Sequence, residues 1–273
     1  MRMIGALLRS AHPGPAAGVT VITVLLGVAV GLDPARVALL GVTMVFNQLS
    51  IGLSNDWIDA ARDRETGRLD KPIARGEIPV SVVRAAAVVG AAGAIAVSAT
   101  LGIPFALAHL VALAGGWSYN AWLKRTPVSA LPYVVSFGLL PALATLALPA
   151  PAAPAWWAVA AGALLGIAAH VANVLPDLDD DAATGVRGLP HRLGRVGSTL
   201  LAGAALAGAA TVLAIGLGSP VALAGLALSL AASVGAVVFG LRGSRWGFRL
   251  VIAAALVDVI LLVLAGSALV AAA

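Results

Sequence analysis

The chain is divided into apolar blocks of about 20 residues, each long enough to cross roughly 30 Å of hydrocarbon as a helix. Nine such blocks are readable: about Ala16–Leu32, Ala35–Ser54, Val80–Leu101, Pro104–Trp122, Val128–Leu148, Trp156–Val174, Gly197–Leu217, Pro220–Gly240 and Trp246–Val270. Alanine, leucine and valine fill them without period-two alternation, which argues against an outer-membrane barrel, whose strands alternate over about 10 residues. The chain is 60% hydrophobic and 11% charged, with mean hydropathy +1.01. A soluble domain carries roughly 25% charged residues. Glycine and proline mark the tight joints, at Gly102 to Pro104, Pro149 to Pro154 and Gly218 to Pro220. The first block is long for a signal peptide and is expected to be retained. Cysteine is absent, which removes disulfides and thiolate metal sites.

The nine blocks sort the basic residues. Arg2 and Arg9 precede the first. Arg62, Arg64, Arg68, Lys71, Arg75 and Arg84 follow the second, and Lys124 and Arg125 follow the fourth. Arg187, Arg192 and Arg195 follow the sixth, and Arg242, Arg245 and Arg249 the eighth. All sixteen fall on one side, and only Arg36 on the other. The positive-inside rule makes the populated side cytoplasmic and the chain a multi-pass protein of the cell membrane. The pI of 10.7 is thus a topology signal and a surface suited to anionic lipids or diphosphates. A nucleic-acid partner is not expected, and no obligatory protein partner is evident.

Ten of the twelve carboxylates lie in two clusters, Asp56 to Glu77 and Asp177 to Asp181, each at the cytoplasmic end of a block. Asp56, Asp59 and Asp63 are spaced i, i+3, i+7, so a continuing helix puts them on one face; Asn173, Asp177 and Asp181, at i, i+4, i+8, are expected to do the same. Carboxylates on one face repel unless a cation sits between them. Hard oxygen ligands so arranged suit Mg²⁺, which keeps waters and binds through a few carboxylates plus substrate phosphates.

The spacing repeats. Asn55, Asp59, Asp63, Thr66, Gly67, Pro72 and Gly76 reappear as Asn173, Asp177, Asp181, Thr184, Gly185, Pro190 and Gly194, every pair 118 residues apart. The chain therefore reads as one all-α membrane domain around a central cavity. Its first four-helix repeat covers about 16–122, its second about 128–240, and a ninth helix about 246–270. Internal repeats commonly place a shared site where the copies meet. Two facing carboxylate sets there would hold cations and one diphosphate. Asp56 has no counterpart, because Val174 stands at its paired position.

At these residues the chain resembles the UbiA superfamily of intramembrane prenyltransferases. The family's first motif, NDxxDxxxD, is matched by Asn55 to Asp63, and its acidic second motif by Asn173 to Asp181. A tyrosine followed by lysine, Tyr119 to Lys124-Arg125, is similar to a third signature, and Lys71-Pro72-Ile73 to the connection after the first motif. The tyrosine-to-lysine interval is similar to the YxxxLKR form of the archaeal lipid-ether branch. Pro176 stands where many members carry a basic or polar residue.

The resemblance implies transfer of the prenyl group of a polyprenyl diphosphate to a hydrophobic or aromatic acceptor. Mg²⁺ would be held by Asp56, Asp59, Asp63, Asp177 and Asp181, with Lys124 and Tyr119 in the catalytic set. Asn55, Asn173, Arg68, Arg125 and Arg187 are candidate substrate contacts. Asn47, two turns before Asn55, and His170, one turn before Asn173, are candidates to line the cavity. His109 and Asp258 read as bridges between helices, and Trp156-Trp157 as an interfacial belt. A terpene cyclase of the same superfamily is the alternative; it favours many aromatic faces for migrating cations, and this chain has 5% aromatics. A transporter built from repeats would place its polar residues near the bilayer midplane, whereas the carboxylates here end the blocks.

Overall fold

The computed structural model describes residues 2–68, 70–183 and 185–271. Thr184, and the side chains of Asp179 and Asp180, lie outside the described residues. Eleven helices follow one another: α1 (Arg2–Ser10), α2 (Pro13–Ala29), α3 (Pro34–Glu65), α4 (Val80–Thr100), α5 (Ile103–Ala121), α6 (Leu131–Leu146), α7 (Trp156–Val174), α8 (Leu178–Ala183), α9 (Leu189–Leu217), α10 (Pro220–Leu241) and α11 (Arg245–Leu264). Among the described residues there is no strand, only an isolated bridge between Pro154 and Val270. Each of the nine expected blocks is helical. Six helices are long and apolar enough by themselves to cross a bilayer, and α1 with α2, bent by 63°, make a seventh. Successive long helices pack on one another and α11 returns to α2, so the bundle closes on itself.

Its outer surface is that of a multi-pass membrane protein. Ile103 is 76% exposed, with Val89, Ile215 and Leu264 similarly bare; an apolar belt of this extent needs lipid to cover it. The largest core cluster, around Leu26, Leu40, Phe105, Leu143, Leu213 and Leu261, joins seven helices. Trp157 packs into that cluster against Gly216, whereas Trp156 is exposed. Only one member of the expected tryptophan belt is therefore at the surface.

Two local features place the motifs. Asp33 caps α3 by accepting from the Ala35 and Arg36 amides, and Pro34 occupies the first turn, where a missing N–H costs nothing. From that start α3 runs 32 residues, roughly 48 Å, so its last turns carry Asp56, Asp59 and Asp63 beyond the apolar block. Both motif segments then stop identically. Gly67 (φ 66°) and Gly185 (φ 81°) take the left-handed conformation, and the Arg68 and Val186 amides donate to the Asp63 and Asp181 carbonyls, a closure open to glycine at little cost.

The second motif does not continue as one helix. α7 ends at Val174, a 3₁₀ turn spans Leu175–Asp177, and α8 begins at Leu178. Pro176 lacks the N–H for the next helical bond and its ring crowds the carbonyl four residues back. Two pairs of helices fall at the 118-residue interval. Moving α2 along by it gives 131–147, where α6 lies, and moving α5 gives 221–239, inside α10.

Candidate active site

At the end of the bundle where α3 and α7 leave their apolar blocks, one cavity of about 380 Å³ is walled by both motifs. From α3 come Asn55, Asp59 and Asp63; from the α7–α8 segment come His170, Asn173, Asp177 and Asp181. Tyr119 at the end of α5, Lys124 in the following 3₁₀ turn and Arg68 beyond α3 complete the expected members. Ten of the fourteen candidate residues thus meet in one place.

Asp59 is the most heavily engaged carboxylate. Lys124 Nζ donates to Oδ1 at 2.7 Å and to Oδ2 at 2.5 Å, and Arg62 donates to Oδ2 at 3.0 Å. The lysine and aspartate side chains are 6% and 4% exposed. Burial holds the Lys124 ammonium below its usual pKa, with the Asp59 charge opposing that drop. Arg62 also lies 3.8 Å from Asp63. Burial raises the Asp181 carboxyl above the ordinary aspartate range, against the pull of Arg62, His191 and Lys124. At the rim, the hydrogen bonds from Arg68 hold Asp70 down to about 2.

The remaining four candidates lie elsewhere. Asp56 Oδ1 takes His12 Nε2 at 2.9 Å and Lys71 Nζ at 2.6 Å; those two basic groups line the cavity and Asp56 does not. Asn47 Nδ2 meets His109 Nε2 at 2.7 Å in a buried bridge between α3 and α5. Eight residues put it about 12 Å deeper in the bundle than Asn55, and its bond to His109 holds it against α5, outside the cavity wall. Arg125 and Arg187 are exposed and outside the cavity wall. The 3₁₀ turn that buries Lys124 points its neighbour outward.

Beside the carboxylates stands an aromatic wall. Tyr119 lies edge-on to Tyr133 (centroids 5.1 Å apart) and to His170 (5.7 Å), and Tyr133 lies 5.0 Å from His170. The Tyr119 hydroxyl lies beside the Asn173 and Tyr133 side chains. The seam between α6 and α7 sets this contact: a Cβ on Gly166 would fall 2.4 Å from the Tyr133 carbonyl oxygen, so only glycine permits the approach. His170 Nε2 in turn meets the Ser129 hydroxyl at 3.0 Å.

Sequence reasoning missed Arg9, His12, Arg62, Ser129 and His191, all in the cavity wall. Arg62 carried a usable signal, since it falls three residues after Asp59 and beside Asp63. Arg9 and His12 carried none. They arrive because the elbow between α1 and α2, with His12 at φ 53°, brings Arg9 into an ion pair with Glu77.

No three acidic or histidine side chains are gathered tightly enough, among the described residues, to form a metal site by themselves. The donor set nonetheless suits Mg²⁺. It is all oxygen, spread over two facing segments around open space, as needed for a cation that keeps waters and shares phosphate oxygens.

The family model for the UbiA prenyltransferase family matches residues 16–251, and the chain belongs to that family. Solved structures share the fold. A UbiA homologue from Aeropyrum pernix K1, without ligand, aligns at TM-score 0.71 and 19% identity, over 94% of this chain and 96% of that one. A homologue from Archaeoglobus fulgidus bound to GPP and Mg²⁺ aligns at 0.70 and 17%, over 97% and 99%. A digeranylgeranylglyceryl phosphate synthase aligns at 0.69 and 14%, over 98% and 99%. No curated protein matches the chain by sequence alone.

Proposed function

We propose that the chain is a Mg²⁺-dependent intramembrane prenyltransferase of the cell membrane, with nine spans, two four-helix repeats plus a ninth helix, and its site at the cytoplasmic face. The observation that carries this reading is the meeting of both acidic motifs in one cavity with Lys124, Arg62 and an aromatic wall. The A. fulgidus homologue bound to GPP and Mg²⁺ supports it.

Asp59, Asp63, Asp177 and Asp181 would hold the cations, which neutralise charge building on the leaving diphosphate. Asp56, whose one bonded oxygen is taken by His12 and Lys71, sets those two groups at the cavity edge. Lys124, Arg62 and Lys71 supply charge-assisted contacts to the phosphate oxygens. When the allylic carbon–oxygen bond breaks, its electron pair leaves with the diphosphate and the carbon is left cationic. Tyr119, in the cavity wall and backed by Tyr133, would offer its ring to that cation, and the bundle would exclude water that otherwise hydrolyses it. The acceptor's nucleophilic atom then forms the new bond and gives up its proton to the departed diphosphate. The digeranylgeranylglyceryl phosphate synthase likeness keeps glycerol-lipid alcohols beside aromatic and sugar-phosphate acceptors.

Incubation of purified protein with labelled allylic diphosphates, Mg²⁺ and a lipid extract tests the proposal. Diphosphate release with label in a prenylated lipid is the expected result. Cyclic hydrocarbon formed without any acceptor would support the cyclase instead, and no metal-dependent release would reject both.

A further inference from the structure

Asp59 has no free oxygen. Oδ1 accepts from Lys124, and Oδ2 accepts from Lys124 and from Arg62. Arg62 also approaches Asp63, and its Nη1 atom is buried in the cavity wall with no hydrogen-bond partner. A guanidinium with one arm on a carboxylate and another unpartnered is half satisfied. A cation taking Asp59 alone would have to displace the ammonium and the guanidinium, leaving the buried Lys124 charge unpaired and the half-buried Arg62 with only the more distant Asp63, and a buried charge stripped of its partner is heavily penalised. Among the described residues the carboxylates also lack the tight three-ligand grouping that would repay that penalty. A diphosphate arriving with the cation changes the balance, because its oxygens take over Lys124 and the open arm of Arg62 in charge-assisted bonds.

We infer that Arg62 is a diphosphate-binding residue and, with Lys124, the resident counter-ion of Asp59 and Asp63, so that metal and diphosphate bind as a coupled pair and neither binds well alone. This rests on the prenyl diphosphate reading of the cavity. It assigns Arg62 a part in that reading and fixes an order of events: the two basic groups leave the carboxylates only when the diphosphate receives them.

The test uses the full chain in nanodiscs with two probes, Mn²⁺ alone followed by electron paramagnetic resonance, and geranyl S-thiolodiphosphate at saturating Mg²⁺. Lys124→Met and Arg62→Gln are each expected to bind Mn²⁺ alone more tightly than the unmodified protein and the analogue more weakly, by at least about fivefold, the lower end of ordinary coupling between sites. A substitution that only damaged the fold would weaken both. Arg62→Gln leaves Lys124 on Asp59 and carries the test if Lys124→Met does not fold. Mn²⁺ affinity unchanged or reduced in Arg62→Gln overturns the inference. Failure of the unmodified protein to bind the analogue with Mg²⁺ would instead overturn the prenyl diphosphate reading.

Discussion

Gly166→Ala should loosen the seam on which the aromatic wall stands. A Cβ at this position meets the Tyr133 carbonyl oxygen at 2.4 Å and its carbon at 2.7 Å, whereas ordinary contact begins near 3.4 Å. Both obstacles are backbone atoms, so no rotamer relieves them, and α6 and α7 must part by about 1 Å. Overpacking of this kind costs about 1–3 kcal/mol. At about 2–4 °C per kcal/mol for a chain of this class, the apparent Tm in detergent should fall by about 2–12 °C. Gly208→Ala is the control, because its Cβ meets only the Leu164 side chain, at 3.4 Å. Intrinsic tryptophan fluorescence during heating reads the difference, and titration with geranyl S-thiolodiphosphate reads its consequence at Tyr133, His170 and Asn173. Equal Tm values for the two variants would refute the claim that this seam is closed backbone to backbone.

Two further outcomes follow from the site. Asp56→Asn should lower the apparent Tm, because it weakens the tie of Lys71 and His12, yet reduce analogue affinity less than Asp59→Asn does; equal losses of affinity would place Asp56 among the direct ligands. Asp181 takes its proton at higher pH than an unperturbed aspartate, whose pKa is about 3.9, since burial disfavours its charged form. Cation-dependent binding needs the carboxylate, so binding should fall with decreasing pH on a limb that lies above that value; a titration flat down to pH of about 4 would contradict it.

The nine apolar blocks and the paired motifs were legible because both are one-dimensional. Hydrocarbon thickness fixes block length, and a constant interval of 118 residues joins Asn55 to Asn173 and Gly76 to Gly194. What a linear pattern could not show is which groups close over a face from elsewhere. Asp56, Asp59 and Asp63 share one side of α3, yet the α1–α2 elbow and the segment holding Lys71 cover the first and leave the others open. Pro176 interrupts the second motif with a 3₁₀ turn, yet Asn173, Asp177 and Asp181 still line the cavity together. Asn47 lies about 12 Å deeper along α3 than Asn55, outside the cavity wall. His109 and Asn47 instead tie α3 to α5, a bridge for which neither residue alone gave a signal.

The central claim is that the two motifs form one site for a metal-bound diphosphate. Calorimetric titration of geranyl S-thiolodiphosphate, with and without Mg²⁺, on the unmodified protein, Asp59→Asn and Asp177→Asn tests it most directly. The account predicts binding only with Mg²⁺ in the unmodified protein, and a loss of at least about tenfold in each variant, or about 1.4 kcal/mol. Binding that persisted without metal, or that survived intact when either motif was altered, would contradict it.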